Sequence, residues 1–479
     1  MQQPTPRKDP MYPGEITDKA ICAIFQGAGD FVRREILCNG HKVYAYMIDG
    51  LVSGAQASDY IFRPISDNLK GDKLEELYQQ ALFGAVYNSV ASSCENLDDI
   101  AKKLVNGFCV VLFPDVGAVA YEVKTGEKRG VSGPEVENTV KGPKDAFTET
   151  VRTNTSLIRR HMRTPDLRFY ETLVGRRSLT NVTVAYIEGI TNPDLVAKLK
   201  ARLDTIDIDG FLTPASVEEY VTGSRPTAFP MLQYTERADK FCQGLLNGRV
   251  GLLVDGLPLG YLTPTDLGTF LTSPEDLGTD YLTASVLRII RCGALLLSLL
   301  LPGFYVAMAA YHQEMIPLPL LKAMIESKTS VPFPTIMEVI GLLLAFEILQ
   351  EAGIHLPHSI GQTVSIIGGL VVGTAAVEAK LVSPAALITV AVAGICGFAL
   401  PGRDFAAGIR LWRFALTISA SLGGLFGLAA GLIALVIHLS RLTCMDIPYL
   451  SAPPIFRKRL EKVKYRDPKL RALDQRNQR

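Results

Sequence analysis

Hydrophobic and polar positions follow two different patterns along this 479-residue chain. Up to about residue 283, short apolar runs are separated by charged stretches at ordinary soluble density. From Val286 onward the apolar runs lengthen, at 286–310, 336–349, 364–377, 384–400 and 414–439. A bilayer core takes ~20 apolar residues per helix. The first and last runs exceed that length, and the middle ones are shorter or carry charge. The pattern predicts an all-α transmembrane bundle of four or five segments over residues 284–440, and membrane lipid as its surroundings.

The soluble half carries a second pattern. Residues 42–52 (KVYAYMIDGLV) and 181–190 (NVTVAYIEGI) are β-rich runs that end in an acidic residue followed by glycine. Residues 108–123 and 250–263 are each an apolar strand, a turn at aspartate and a second strand. Asp49 and Glu188 are 139 residues apart, and Asp115 and Asp255 are 140 apart. Strands alternating with helical pieces at matched offsets predict an α/β soluble region of two similar subdomains. The expected organisation is a disordered tail at 1–20, subdomains at 21–150 and 151–283, the helical domain at 284–440 and a basic tail at 441–479.

Charge sets the expected orientation. The first 20 residues are polar and proline-rich with no apolar signal core, which predicts a cytoplasmic soluble half with reduced thiols. The tail beyond Leu439 is rich in Lys and Arg and stays inside by the same rule that keeps basic loops cytoplasmic. Both termini inside requires an even number of crossings, so one of five runs does not cross. The suspect is 336–349, because Glu338 and Glu347 lie within it and Glu351 follows; a charge at mid-bilayer costs about 2.5–3.5 kcal/mol. These carboxylates line an ion path, pair with Arg288, Arg291, Arg410 or Arg413, or are solvated at the interface. Arg403, Arg410 and Arg413 precede the last run and would then face outward, in conflict with the rule.

Composition excludes several function classes. Net charge is +1, which gives no bulk reason to bind nucleic acid. The eight cysteines include no C-x-x-C pair, arguing against a zinc ribbon or a redox dithiol. No phosphate-binding glycine loop, dinucleotide fingerprint, H-E-x-x-H or G-x-S-x-G is present. His312 and Glu314 are too few for a metal site. No catalytic residue, metal or cofactor is expected.

A set of ordered segments carries a family resemblance. They include KDAFTET (144–150), VGRRS (174–178), YIEG (186–189), IDIDG (206–210), QYTER (233–237), LVDG (253–256) and LPGFY (301–305). VPFP (331–334), EAGIHLP (351–357), IGG (367–369), AAVE (375–378), LVSP (381–384) and PYL (448–450) continue the series. Over about residues 140–455 the chain resembles the A subunits of bacterial spore germinant receptors, the GerA type. The resemblance implies a multi-pass protein of the inner spore membrane. It also implies a transporter-like B subunit and a lipoprotein C subunit as partners, self-association into a homo-oligomeric ring, and a cation path. The implied function is to form or gate that path when a partner senses nutrient, triggering germination. A secondary transporter of small solutes and a non-conducting membrane scaffold are the alternatives.

A pore needs a helix wet on one face. Residues 362–378 fit best, with Thr363, Ile367, Leu370 or Val371, Thr374 and Glu378 at helical spacing. An Ile367 and Leu370 or Val371 ring gates by dewetting in this reading, and a Glu378 ring favours cations. Gly369 and Gly373 allow close helix contact on another face, as do Gly423, Gly427 and Gly431 in the last run. The same helix packed wholly inside the bundle is the competing reading.

Overall fold

The computed structural model describes residues 11–84, 90–124, 142–223, 226–273, 275–355 and 373–450, with positions 86, 133–134 and 137. They form two compact units. The first holds two five-stranded sheets. Strands β1 (Phe31–Cys38), β2 (His41–Ile48), β3 (Ala91–Cys94), β4 (Phe108–Phe113) and β5 (Gly117–Glu122) lie in the order β1-β2-β4-β5-β3. Strands β6 (Leu167–Val174), β7 (Thr180–Ile187), β8 (Gln233–Thr235), β9 (Val250–Val254) and β10 (Gly260–Thr263) repeat the path as β6-β7-β9-β10-β8. The same non-sequential order twice gives the duplication a structural form. The turns match as well: Gly50 and Gly189 leave β2 and β7 at φ +84° and +74°, a region glycine enters without strain.

Side-chain alternation explains how the first sheet is covered on both faces. Val43, Ala45, Val111, Phe113, Val119 and Tyr121 point to one face, where Leu77 and Ala81 of α2 (Leu74–Phe83) meet them. Tyr46, Ile48, Val110, Leu112 and Ala120 point to the other. There Ile21 and Ile24 of α1 (Asp18–Ile24) and Leu97, Ile100 and Leu104 of α3 (Leu97–Val105) close the core. Asn96 caps α3 by accepting from the Asp99 N–H at 2.8 Å.

In the second sheet, one face carries α4 (Val151–His161) and α7 (Ala238–Leu246), packed through Leu157, Ile158, Phe241 and Leu245. Two further helices, α5 (Pro193–Asp204) and α6 (Pro214–Thr222), also belong to this half. α4 lies where the halves join. Its Arg159 makes a bidentate pair with Asp30, both bonds 2.8 Å and both side chains 1% exposed. The Phe169 ring lies 5.0 Å from the guanidinium, and the Gly29 N–H donates to the Phe169 carbonyl at 2.7 Å.

The second unit is helical: α8 (Tyr281–Ala310), α9 (Leu318–Lys328), α10 (Thr335–His355), α11 (Pro384–Phe398) and α12 (Arg403–Arg441). Residues 225–233 and 265–283 belong to this unit, so its boundary does not fall at 283 as the apolar content suggests. The reason is packing: Phe229, Phe270 and Asp276 are buried against the helices rather than against a sheet. Among the described residues, two helices are long and apolar enough to cross a membrane, Leu282–Ala310 and Arg403–Arg441.

Candidate functional site: a charged seam in the helical unit

α12 is not one rod. Gly423 and Gly424 leave the helical region, Gly424 at φ +60° and ψ −140°. The chain reverses there into two antiparallel legs, 403–422 and 425–441. Ser419 Oγ donates to the Gly427 carbonyl at 2.5 Å. The rings of Trp412 and His438 are 5.4 Å apart, whereas 26 residues of straight helix would separate them by roughly 39 Å. Gly427 and Gly431 make the close approach possible. A Cβ on Gly427 would strike the Ser419 carbonyl, and one on Gly431 would come within 2.7 Å of Leu416 Cδ2. Gly427 and Gly431 therefore serve the other leg of the same hairpin, whereas Gly423, expected at a packing face, has open space around its Cβ because it lies in the turn itself. At about 30 and 25 Å, each leg is close to one bilayer core in length.

α8 packs along both legs. Gly303 faces the Leu416 carbonyl and Ala420 on one and Leu428 on the other. The Tyr311 hydroxyl donates to the Ser421 carbonyl at 2.5 Å, and His312 lies beside Gly424. The hairpin tip thus sits at the C-terminal end of α8. At the opposite end, here the base, Phe229 neighbours Phe405, His438 and Tyr449 at ring distances of 5.9–6.3 Å. Phe270 stacks on Phe405 at 5.6 Å. Arg288 and Arg291 both reach Asp276, at 3.2 and 2.8 Å.

α10 runs from the tip end towards the base. Val339 and Leu343 pack with Val306, Ala386 and Val390. Nearby, Glu338 is 2% exposed; it accepts from the Ser383 N–H at 2.8 Å and faces the Lys328 ammonium at 3.5 Å. Two turns on, Glu347 meets the first leg of the hairpin. Arg413 Nη2 is 3.2 Å and Arg410 Nε 3.5 Å from its carboxylate, and Arg410 also donates to Gln350. Arg413 is 1% exposed and Glu347 is 27% exposed. Glu351, one turn further on, is exposed. α11 starts beside Glu338; farther along it, Gly394 lies against the Phe346 ring and Gly397 beside Ser298.

These contacts answer two expectations. The carboxylates of 336–349 are the ground for suspecting that this run does not cross. Both have basic partners within the bundle, which offsets the cost of burying them. The arginines before the last run conflict with the charge rule only if that run is a single span. With the hairpin, Arg403 and Arg441 lie at the same end, together with Arg288 and Arg291.

The candidate pore positions divide. Thr363, Ile367, Leu370, Val371 and Gly369 lie outside the described residues, as does the basic tail beyond residue 450. Thr374 and Glu378 are described and exposed, and Gly373 is buried against Leu387. In the first unit, burial pushes the thiols up, to about 11 at Cys94 and about 12 at Cys109 and Cys242. Such thiols are structural rather than reactive.

Sequence comparison covers both units. The family described as Bacillus/Clostridium GerA spore germination protein matches residues 19–478. The uncharacterized membrane protein YfkQ of Bacillus subtilis is 35% identical over 91% of this chain and 85% of its own. Spore germination protein KA of the same organism is 34% identical over 88% of this chain and 78% of its own. GerLA of Bacillus cereus is 36% identical over 75% and 74%. Among solved structures, the N-terminal domain of the A subunit of the Bacillus megaterium spore germinant receptor GerK3 is 27% identical. It covers 51% of this chain and 92% of its own, with a TM-score of 0.39.

Proposed function

From the premise that this chain belongs to the GerA spore germination family, we propose that it is the A-type membrane subunit of a spore germinant receptor. It sits in the inner spore membrane with transporter-like and lipoprotein partner subunits, self-associates, and forms or gates a cation path once a partner senses nutrient. No catalytic role is assigned to it.

The hairpin supports a topology. Among the described residues α8, α10, α11 and the two legs of α12 make five passes in this reading; the run at 364–377 is taken as a sixth on its sequence alone. An even count keeps both flanks on one face. Arg288, Arg291, Arg403 and Arg441 gather at the base end, so the base is the cytoplasmic end. Glu338 and Glu347 are engaged by Lys328, Arg410 and Arg413, which supports a clamping role for them rather than a place on the ion path.

The observation that carries the conducting reading is the exposure of Thr374 and Glu378 at the end of the candidate pore helix. Both are exposed, and this reading places the Glu378 carboxylate on an axis shared with other copies. The test is single-channel recording of the full chain in liposomes. Unitary cation currents that lose cation preference in Glu378→Gln are expected. A silent bilayer supports a scaffold, and solute uptake without unitary currents supports a transporter; either result overturns the conducting reading.

A further inference from the structure

One helix of the helical unit is too short to be a pass. α9 has 11 residues, roughly 16 Å of helix and about half a bilayer core. It lies in the connection between α8 and α10, at the tip end of the bundle. None of its residues is buried. Both of its ends are nevertheless fastened. His312, a few residues before it, lies beside Gly424 of the hairpin turn. Lys328, its last residue, reaches Thr335 and faces the buried Glu338 carboxylate at 3.5 Å. A tethered helix whose apolar side chains all remain accessible marks a surface that something else covers.

At 100° per residue the positions of α9 sort into distinct sides. Leu321, Met324, Ser327 and Lys328 are half-buried and face the bundle. Lys322 and Glu326, four residues apart, form an exposed polar ridge on the side opposite. Between bundle and ridge, Leu318 and Ile325 stand on one flank, and Ala323 and Leu320 on the other. The three large side chains on these flanks are all more than half exposed.

That pattern chooses the occupant. A protein docked against one flank leaves the other in water. A bilayer surface meets both flanks at once and leaves the ridge wet, as for an amphipathic helix lying in the headgroup layer. The hairpin turn supports the same level. On either side of it stand Leu422 and Phe426, the two most exposed large apolar side chains among the described residues.

We propose that α9 is an interfacial helix, lying in the lipid headgroup layer on the face opposite the basic end. Its two apolar flanks sit at the acyl boundary, and the ridge of Lys322 and Glu326 stays in water. Through Lys328 it ties that lipid layer to Glu338 inside the bundle. This rests on the proposed topology, in which α8 and α10 cross the membrane and their joined ends emerge on that face.

The test uses the full chain in liposomes. Trp412 is the chain's one tryptophan. In a Trp412→Phe chain, a single tryptophan is returned by Leu320→Trp, Ile325→Trp or Lys322→Trp, all exposed positions. Lipids brominated near the headgroup or near the end of the acyl chain then quench its fluorescence according to depth. Fluorescence from positions 320 and 325 should be quenched at least about twofold more by the shallow bromines than by the deep ones, and that from 322 at least about twofold less than either. Absence of quenching at 320 or at 325 places that flank under protein or in water. Stronger quenching by the deep bromines places the helix in the bilayer core. Either result overturns the interfacial helix, as does quenching at 322 equal to that on the flanks. Alkaline carbonate extraction of the same vesicles separates this from the proposed function. A chain that resists extraction but shows no quenching overturns the interfacial helix alone, whereas a chain that washes off overturns both.

Discussion

The seam between α10 and the hairpin offers a quantitative test. Glu347→Ala removes the carboxylate that Arg413 faces at 3.2 Å and leaves a guanidinium that is 1% exposed inside the bundle. Breaking a buried pair from one side costs about 3–5 kcal/mol. The Arg410 contact, at 3.5 Å with 27% exposure on each side, adds at most about 1 kcal/mol. The expected loss is therefore about 3–5 kcal/mol, nearly all of it from Arg413. Removing the stranded cation as well, in Glu347→Ala/Arg413→Leu, should recover much of that loss. The coupling energy should lie towards the upper end of the roughly 0.5–3 kcal/mol found for contacting residues. Unfolding of the four full-length chains of this cycle in mild detergent, followed by helical circular dichroism against denaturant, reads it directly. Additivity of the two substitutions within about 0.5 kcal/mol would refute the seam.

Three further outcomes follow. Asp30→Ala strands Arg159 at the junction of the two sheets and should destabilise the soluble unit by about 3–5 kcal/mol, read as a loss of the thermal transition with the helical unit retained. Gly427→Leu should prevent closure of the hairpin and abolish well-behaved protein on gel filtration, whereas Gly293→Ala, with open space around its Cβ, should not. The Asp18 carboxyl is held below its ordinary value by hydrogen bonds from Arg33 and Tyr46. Its contribution is fully present above the unfolded value of 3.8 and is lost as pH falls through the lower folded value. Asp18→Asn should therefore flatten the acid limb of stability against pH, and an unchanged limb would count against the pair.

Much of the soluble architecture was legible because its signals are local. Matched strand–turn–strand segments, with glycine or aspartate at the left-handed turn positions, gave the duplication from offsets alone. The order β1-β2-β4-β5-β3 was not readable, because it depends on which strand edges meet across long gaps in sequence.

The hairpin is hidden in the sequence for a physical reason. In the sequence Arg410 and Arg413 mark the edge of the last apolar run, which from residue 414 is one bilayer long. Arg413 is in fact buried and offset by Glu347, which lies 66 residues earlier in the chain. Counted from Arg403, the helix has 39 residues, close to twice what one crossing needs. The adjacent glycines at 423 and 424 mark the turn, but glycine at four-residue spacing also reads as a packing face, and here it is both. The pore helix remains an expectation drawn from 362–378, with only its last turn among the described residues.

The central claim is that the last apolar run enters and leaves the membrane on one face. Single cysteines at Arg403, Leu422 and Arg441 in sealed vesicles, labelled with an impermeant maleimide and compared with the parent chain, test it most directly. The account predicts that positions 403 and 441 label from the cytoplasmic face and 422 from the opposite face. Labelling of 403 and 441 from opposite faces would contradict it.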